Sequence, residues 1–194
     1  HDHVGYEPSG RKFNEFCLNR DGLPHNPLIN AGAMMVASLI SPEKEPAHRF
    51  EELQMFYRKM AGNARGIGFD NSVFLSEKRS ADRNISLAYY MRESNAYAKV
   101  PTSSQLDEHL DLYFQTCSIT SDCEAASVMA ATLANHGRCP ITKEQVVDPH
   151  VTKDCLSIMY MCGMYDFSGQ FAFQVGLPAK SGVAGSLLLC IPNV

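Results

Sequence analysis

Lys180-Ser181-Gly182 lies between a turn at Leu177-Pro178 and the apolar run Val183 to Ile191. A cation, a hydroxyl and a bare backbone N–H grouped at one strand start suit the binding of a carboxylate or an oxyanion. Gly182 and Gly185 equally mark an ordinary bulge or tight turn of a sheet. Asn30, inside Leu28-Ile29-Asn30-Ala31-Gly32, either caps a helix that Ala31 begins or also presents its amide to a ligand. The charge-dense stretch Glu77-Lys78-Arg79-Ser80-Ala81-Asp82-Arg83-Asn84 reads as a loop, solvated unless it grips something polar. Tyr165, in Tyr165-Asp166-Phe167-Ser168-Gly169, offers a phenol on a flexible turn just past a helix end, either packed or reaching a cleft.

Such residues need elements to hold them, and the chain has the means. Its 194 residues suit one domain with a real core, and 45% hydrophobic with 20% charged residues is ordinary globular composition. A formal charge of -4, with no basic patch interleaved with aromatics, speaks against a nucleic-acid partner. No apolar run approaches the roughly eighteen residues of a membrane span. The seven cysteines mostly have apolar neighbours, as small buried hydrophobes do, and neither C-x-x-C nor H-E-x-x-H occurs. No metal and no cofactor is expected.

Most of the chain reads as helical. Turns at Glu7-Pro8-Ser9-Gly10 and Asn19-Arg20-Asp21-Gly22 precede the apolar segment Leu28 to Ile40. Phe50, Leu53, Phe56, Tyr57 and Met60 recur at helical spacing before Gly62. Ser104 to Asp107 resembles a capping box opening a helix with Leu106, Leu110, Tyr113 and Phe114 on one face. Ala125, Ala126, Met129, Ala130, Leu133 and Ala134 form a stripe of small side chains. Asp148-Pro149 caps a helix carrying Val151, Cys155, Ile158, Met159 and Cys162. The alternation Phe171, Phe173, Val175, Leu177 fits a strand or a short helix equally. Val183 to Ile191 reads as a strand with an open edge.

Taken together these segments resemble the serine-dependent glutaminases of the animal, mitochondrial type. The likeness is carried by Pro24-His25-Asn26-Pro27 through Ala33, Lys59-Met60-Ala61-Gly62-Asn63, Ser76-Glu77 with Asp82-Arg83-Asn84, and Leu112 to Ser118. It continues in Val128 to Asn135, Cys162 to Phe173, and Val175 to Gly185. It runs in order through nearly all 194 residues.

The resemblance implies an α+β, β-lactamase/transpeptidase-like glutaminase catalytic domain, here as a mostly helical fragment with an incomplete C-terminal sheet portion. It implies hydrolysis of L-glutamine to L-glutamate and ammonia through a serine acyl-enzyme, in a mitochondrial or alternatively cytoplasmic homo-oligomer, dimer or tetramer. Asn30, Glu77 and Asn84 would grip the amino-acid end of the substrate, with Glu77 facing the ammonium and Tyr113 lining the pocket. Tyr165 would orient the substrate and relay a proton, and the Val183 N–H would supply one oxyanion donor. Lys180, Ser181 and Gly182 would support them, corresponding in kind to the Lys-Thr-Gly strand motif of β-lactamases.

In the family the Ser-x-x-Lys nucleophile and base lie upstream of the segment matched here. Ser9–Lys12 and Ser41–Lys44 have that spacing in the wrong places, Ser9 in a polar loop and Ser41-Pro42 at a helix start. Residues 1–194 are therefore expected to form a partial catalytic domain, inactive alone. Two other readings stand beside this one: a β-lactamase-like acyl transferase or amidase acting on another amide, and a non-catalytic binding or regulatory remnant.

Overall fold

The elements of the computed structural model, which describes residues 2–192, are, in chain order, α1 (Asn30–Leu39), α2 (Pro46–Met60), β1 (Ile67–Phe69), α3 (Asn71–Arg79), α4 (Asp82–Glu93), α5 (Ser103–Cys117), β2 (Ile119–Ser121), α6 (Cys123–Ala134), α7 (Pro149–Cys162), a 3-10 turn (Tyr165–Phe167), α8 (Ser168–Gln174), β3 (Ala179–Ser181) and β4 (Leu187–Leu189). They belong to two compact units, residues 2–51 with 70–118 and residues 52–69 with 119–192. The boundary falls within α2.

In the first unit α5 packs against α1, α3 and α4. Its core holds Met34 and Met35 of α1, Leu87, Ala88 and Met91 of α4, and Leu106, Leu110 and Phe114 of α5. Tyr113 packs at the margin of this cluster, so the α5 face expected from spacing is real. The start of that helix differs from expectation: Thr102 is the N-cap, accepting from Gln105 N, and the Gln105 side chain accepts from Thr102 N. Gln105, an uncharged acceptor at the third helical position, completes the box that Asp107 does not. Asn30 is no cap either, for α1 is preceded by Ile29, and the Asn30 amide is engaged elsewhere. The stretch Glu77–Asn84 spans the end of α3 and the start of α4 and is no loop. Nor does Ser41-Pro42 start a helix; α2 begins at Pro46.

In the second unit β1 pairs antiparallel with β2, Gly68 opposite Thr120, and β3 with β4, Lys180 opposite Leu188. Thr132, with 0% exposure, donates from Oγ1 to Met60 O at 2.8 Å, satisfying a carbonyl at the end of α2. This hydroxyl, and not Leu133, occupies the buried side of α6. Asp148 caps α7 as expected, accepting from His150 N and Val151 N. Its buried residues are Thr152, Met159 and Cys162, while Val151 and Cys155 face outward. Residues 171–174 continue a helix, with Phe173 fully solvent-facing.

Of the expected strand Val183 to Ile191 only Leu187–Leu189 is strand, the second arm of a hairpin whose turn takes up residues 182–186. Gly182 N donates to Ser186 O at 2.7 Å and Gly185, at φ +93°, turns the chain between β3 and β4. Among the cysteines, Cys139, Cys162 and Cys190 are buried, Cys17 is half-buried, and Cys117, Cys123 and Cys155 are exposed. The expectation of buried thiols fails for the three with polar neighbours: Cys117 between Thr116 and Ser118, Cys123 between Asp122 and Glu124, and Cys155 after Asp154. No helix among the described residues is long and apolar enough to cross a membrane.

Candidate functional site

Asn30 and Asn84 meet in the first unit. Asn30 sits in the first turn of α1 because its N–H donates to Phe13 O at 2.9 Å and the preceding loop is locked by Asn26. That residue, 1% exposed, donates from Nδ2 to Glu7 O and accepts from Leu28 N, at 2.9 and 3.0 Å. A Cβ on Gly32 would stand 1.8 Å from Asn26 O, so only glycine lets α1 lie this close to the loop. On that support, Asn30 Nδ2 donates to Asn84 Oδ1 at 2.8 Å. An amide pair so arranged keeps the Asn84 NH₂ as donor and the Asn30 carbonyl oxygen as acceptor for a third group.

Glu77 and Tyr113 converge on a neighbourhood that sequence reasoning missed. The thiol of Cys117 lies one helical turn beyond Tyr113 on α5. The residue is exposed, but the packing around its sulfur pushes the pKa up, a side-chain hydrogen bond with Tyr113 pulls it down, and the Glu77 carboxylate raises it further. Glu77 and Tyr113 therefore both act on one point of α5, where the pair Lys78–Asp111, at 2.7 Å, ties α3 to α5. The i, i+4 spacing of Tyr113 and Cys117 was the available signal.

The second unit holds the other candidates. Tyr165 adopts φ +52°, a left-handed conformation rarely seen in a bulky residue, in the 3-10 turn between α7 and α8. Ser168 Oγ fixes that turn, donating to Tyr165 O at 2.6 Å and accepting from Met164 N at 3.0 Å. This is a braced turn, not the flexible one expected. The Lys180 ammonium donates to Tyr165 Oη at 3.1 Å and to Ser181 O, and it stands 4.4 Å from the Tyr165 ring centroid.

Ammonium nitrogen has no lone pair, so the Tyr165 oxygen must accept and its own proton points elsewhere. Ser181 N and Oγ both donate to Gly163 O, at 3.0 and 3.3 Å. A Cβ on Gly163 would lie 1.7 Å from Ala179 O, so glycine lets the end of α7 approach β3. Gly182 and Val183 follow β3 into the hairpin turn; they do not stand at a strand start. Val183 is 83% exposed, and its N–H donates to no acceptor among the described residues.

Ser9 Oγ donates to Arg11 O and accepts from Arg11 N, closing a local turn. Ser41 lies at φ +39° in a turn closed by Lys44 N to Ser41 O at 3.0 Å. Among the described residues no group of His, Cys, Asp and Glu could hold a metal ion.

Helices around short antiparallel ribbons, with polar side chains fixed at helix starts and a Lys-Ser-Gly hairpin, are the parts of an α+β, β-lactamase-like fold. The glutaminase family model matches residues 1–194, and the chain belongs to the glutaminase family. It is 54% identical over 194 residues to putative glutaminase 2 of Caenorhabditis elegans, covering 100% of this chain and 32% of that protein. It is 51% identical to the mitochondrial liver isoform of glutaminase from Rattus norvegicus, again over 100% of this chain and 32% of that protein. The crystal structure of a probable glutaminase from Bacillus subtilis superposes with a TM-score of 0.88 at 37% identity, covering 98% of this chain and 60% of that one. The chain thus spans about a third of the length of these curated relatives.

Proposed function

We propose that the protein containing this chain hydrolyses L-glutamine to L-glutamate and ammonia, acting in glutamine catabolism and glutamate supply. The Asn30–Asn84 amide pair carries this reading, since it offers one donor and one acceptor to the polar end of an amino acid. Asn84 Nδ2 would meet the substrate carboxylate, and Asn30 Oδ1 would meet an N–H of the substrate. The Glu77 carboxylate would face the α-ammonium, and Tyr113 would line the same pocket.

The remaining steps follow the family likeness. A serine outside Ser9 and Ser41 attacks the side-chain amide carbon, a lysine three residues on takes its proton, and water later cleaves the acyl-enzyme. Tyr165 relays a proton to the departing ammonia. Its oxygen accepts from Lys180, which fixes the position of the phenol whose O–H would be the donor. The unpaired Val183 N–H supplies one oxyanion donor. Ser181 and Gly182 hold the hairpin that presents it. The reaction requires no cofactor. We further propose a homo-oligomer, dimer or tetramer, in the mitochondrion, the compartment that the rat relative's name gives.

The test is a substrate panel on the longer protein, comparing glutamine, asparagine and a β-lactam, with Glu77→Gln alongside. Glutamine turnover with kcat/KM about ten- to a hundredfold lower in Glu77→Gln is expected, because a charge-assisted bond contributes roughly 1.5–3 kcal/mol. Preferred β-lactam turnover, or unchanged glutamine kinetics in a folded Glu77→Gln protein, overturns the assignment.

A further inference from the structure

The first unit contains a cavity of about 330 Å³ that none of the proposed glutamine residues lines. Its wall includes Arg49 of α2, Glu108 and His109 of α5, Ser38 of α1, and Glu43 and Lys99 from the connecting segments. The charged groups of that wall call for a ligand. Arg49 is 2% exposed, yet only Nε and Nη2 are engaged, each at 2.8 Å, with Ile40 O and Ala37 O at the end of α1. No carboxylate among the described residues closes on this guanidinium as an ion pair, although Glu108 and Glu43 act on it electrostatically from farther off.

Beside it, His109 Nδ1 is buried without a hydrogen-bond partner, a costly omission for a polar atom. Burial, and then the Arg49 charge, push the His109 pKa down to about 4, so the ring is neutral near pH 7. The wall therefore carries a desolvated cation with an open N–H edge, a neutral imidazole ring, and two carboxylates held apart from that cation.

We propose that this cavity binds a small zwitterion of the α-amino-acid type, its carboxylate on Arg49, beside the His109 ring, and its ammonium on Glu108 and Glu43. A zwitterion spans the gap between guanidinium and carboxylates that the protein's own side chains leave open. The lining also selects for it. Arg49 and Lys99 balance Glu43 and Glu108, so a bare anion meets the two carboxylates and a bare cation meets Arg49 and Lys99. Ser38, whose Oγ donates to Met35 O at 2.7 Å, retains acceptor capacity toward an ammonium N–H.

The experiment follows the ring signals of His109 by NMR in the full-length protein carrying isotope-labelled histidine. Free glycine is the probe, with acetate and inorganic phosphate titrated separately. Expected is a saturable shift with glycine, a response at least tenfold weaker to acetate and phosphate, and affinity for glycine lowered about tenfold in Glu108→Gln. Glu108 is an exposed residue on α5, so this variant keeps the fold even if replacing Arg49, which holds the end of α1, does not. No saturable shift, an equal response to acetate or phosphate, or unchanged glycine affinity in Glu108→Gln each overturns the proposal. Because the readout is local to His109, loss of glutaminase turnover in a separate Glu77→Gln protein leaves this test unaffected.

Discussion

The Tyr165 oxygen accepts a hydrogen bond from Lys180 at 3.1 Å, and its ring also lies under that ammonium. Tyr165→Phe keeps the ring and removes only the oxygen, leaving Lys180 with Ser181 O and the aromatic face. A proton-relay role therefore predicts kcat lower by about 10²-fold in the longer protein, with melting temperature nearly unchanged. A lower melting temperature with kcat intact would mark Tyr165 as a packing residue.

Residue types announced much of this site. A Lys-Ser-Gly triplet, an asparagine in an apolar run and a tyrosine after a helix end all stood out in the sequence. Which of them touch was not legible. The Asn30–Asn84 bond joins residues 54 apart, and the Lys180–Tyr165 bond joins residues 15 apart across a helix and a turn, where spacing carries no information. Cys117 passed unnoticed because a lone thiol looks the same in sequence whether it packs or sits beside a carboxylate 40 residues away.

Caps and close approaches decide where the elements begin and meet. Thr102→Ala removes the Gln105 N acceptor and half of the capping box, so a loss of about 1 kcal/mol of stability is expected in denaturant unfolding. Gly32→Ala should do far more, since the new Cβ would stand 1.8 Å from a loop carbonyl. Movement of α1 would carry Asn30 away from Asn84, so KM for glutamine is expected to rise in whatever fraction remains folded.

α5 also carries a pH dependence. His109 binds its proton less readily folded than unfolded, with a pKa of about 4 against an ordinary 6.5. Stability is then intact above pH 6.5 and declines as pH falls from 6.5 towards 4, where the unfolded chain takes up more protons. In His109→Gln that part of the acid sensitivity should vanish from the unfolding midpoint. At this scale the sequence was a partial guide. Periodicity located the face of α5, and Asp148-Pro149 the start of α7. It failed where runs were short: residues 171–174 fit either period, and Gly182 and Gly185 made a hairpin of what read as one strand.

The whole chain spans about a third of the length of its curated relatives, and the proposed function is a proposal about the longer molecule. The 194-residue chain alone is expected to release no ammonia from glutamine, because neither Ser9 nor Ser41 stands in a nucleophile's geometry. Assay of the purified chain beside the longer protein checks this, and turnover that survives repurification would place the nucleophile within these residues. Family and fold were legible at this scale because the motifs run in order through the sequence. The division into two units was not, since each is assembled from two separated stretches and no linker composition marks the boundary.

The sealed thiols of the second unit turn the molecule into its own clock. Cys190 follows β4, Cys162 ends α7, and burial raises both pKa values to about 11, so neither reacts while covered. Cys123 and Cys155, exposed in the same unit, react at once. Alkylation over time thus separates an immediate phase from a slow one, and peptide mapping of the slow phase tells Cys139 from Cys162 and Cys190, whose rates report how often the end of α7 and the hairpin open. If they open together, Cys162 and Cys190 acquire label at one rate. Two distinct rates would mean that the strand holding Lys180 breathes independently of the helix it leans on.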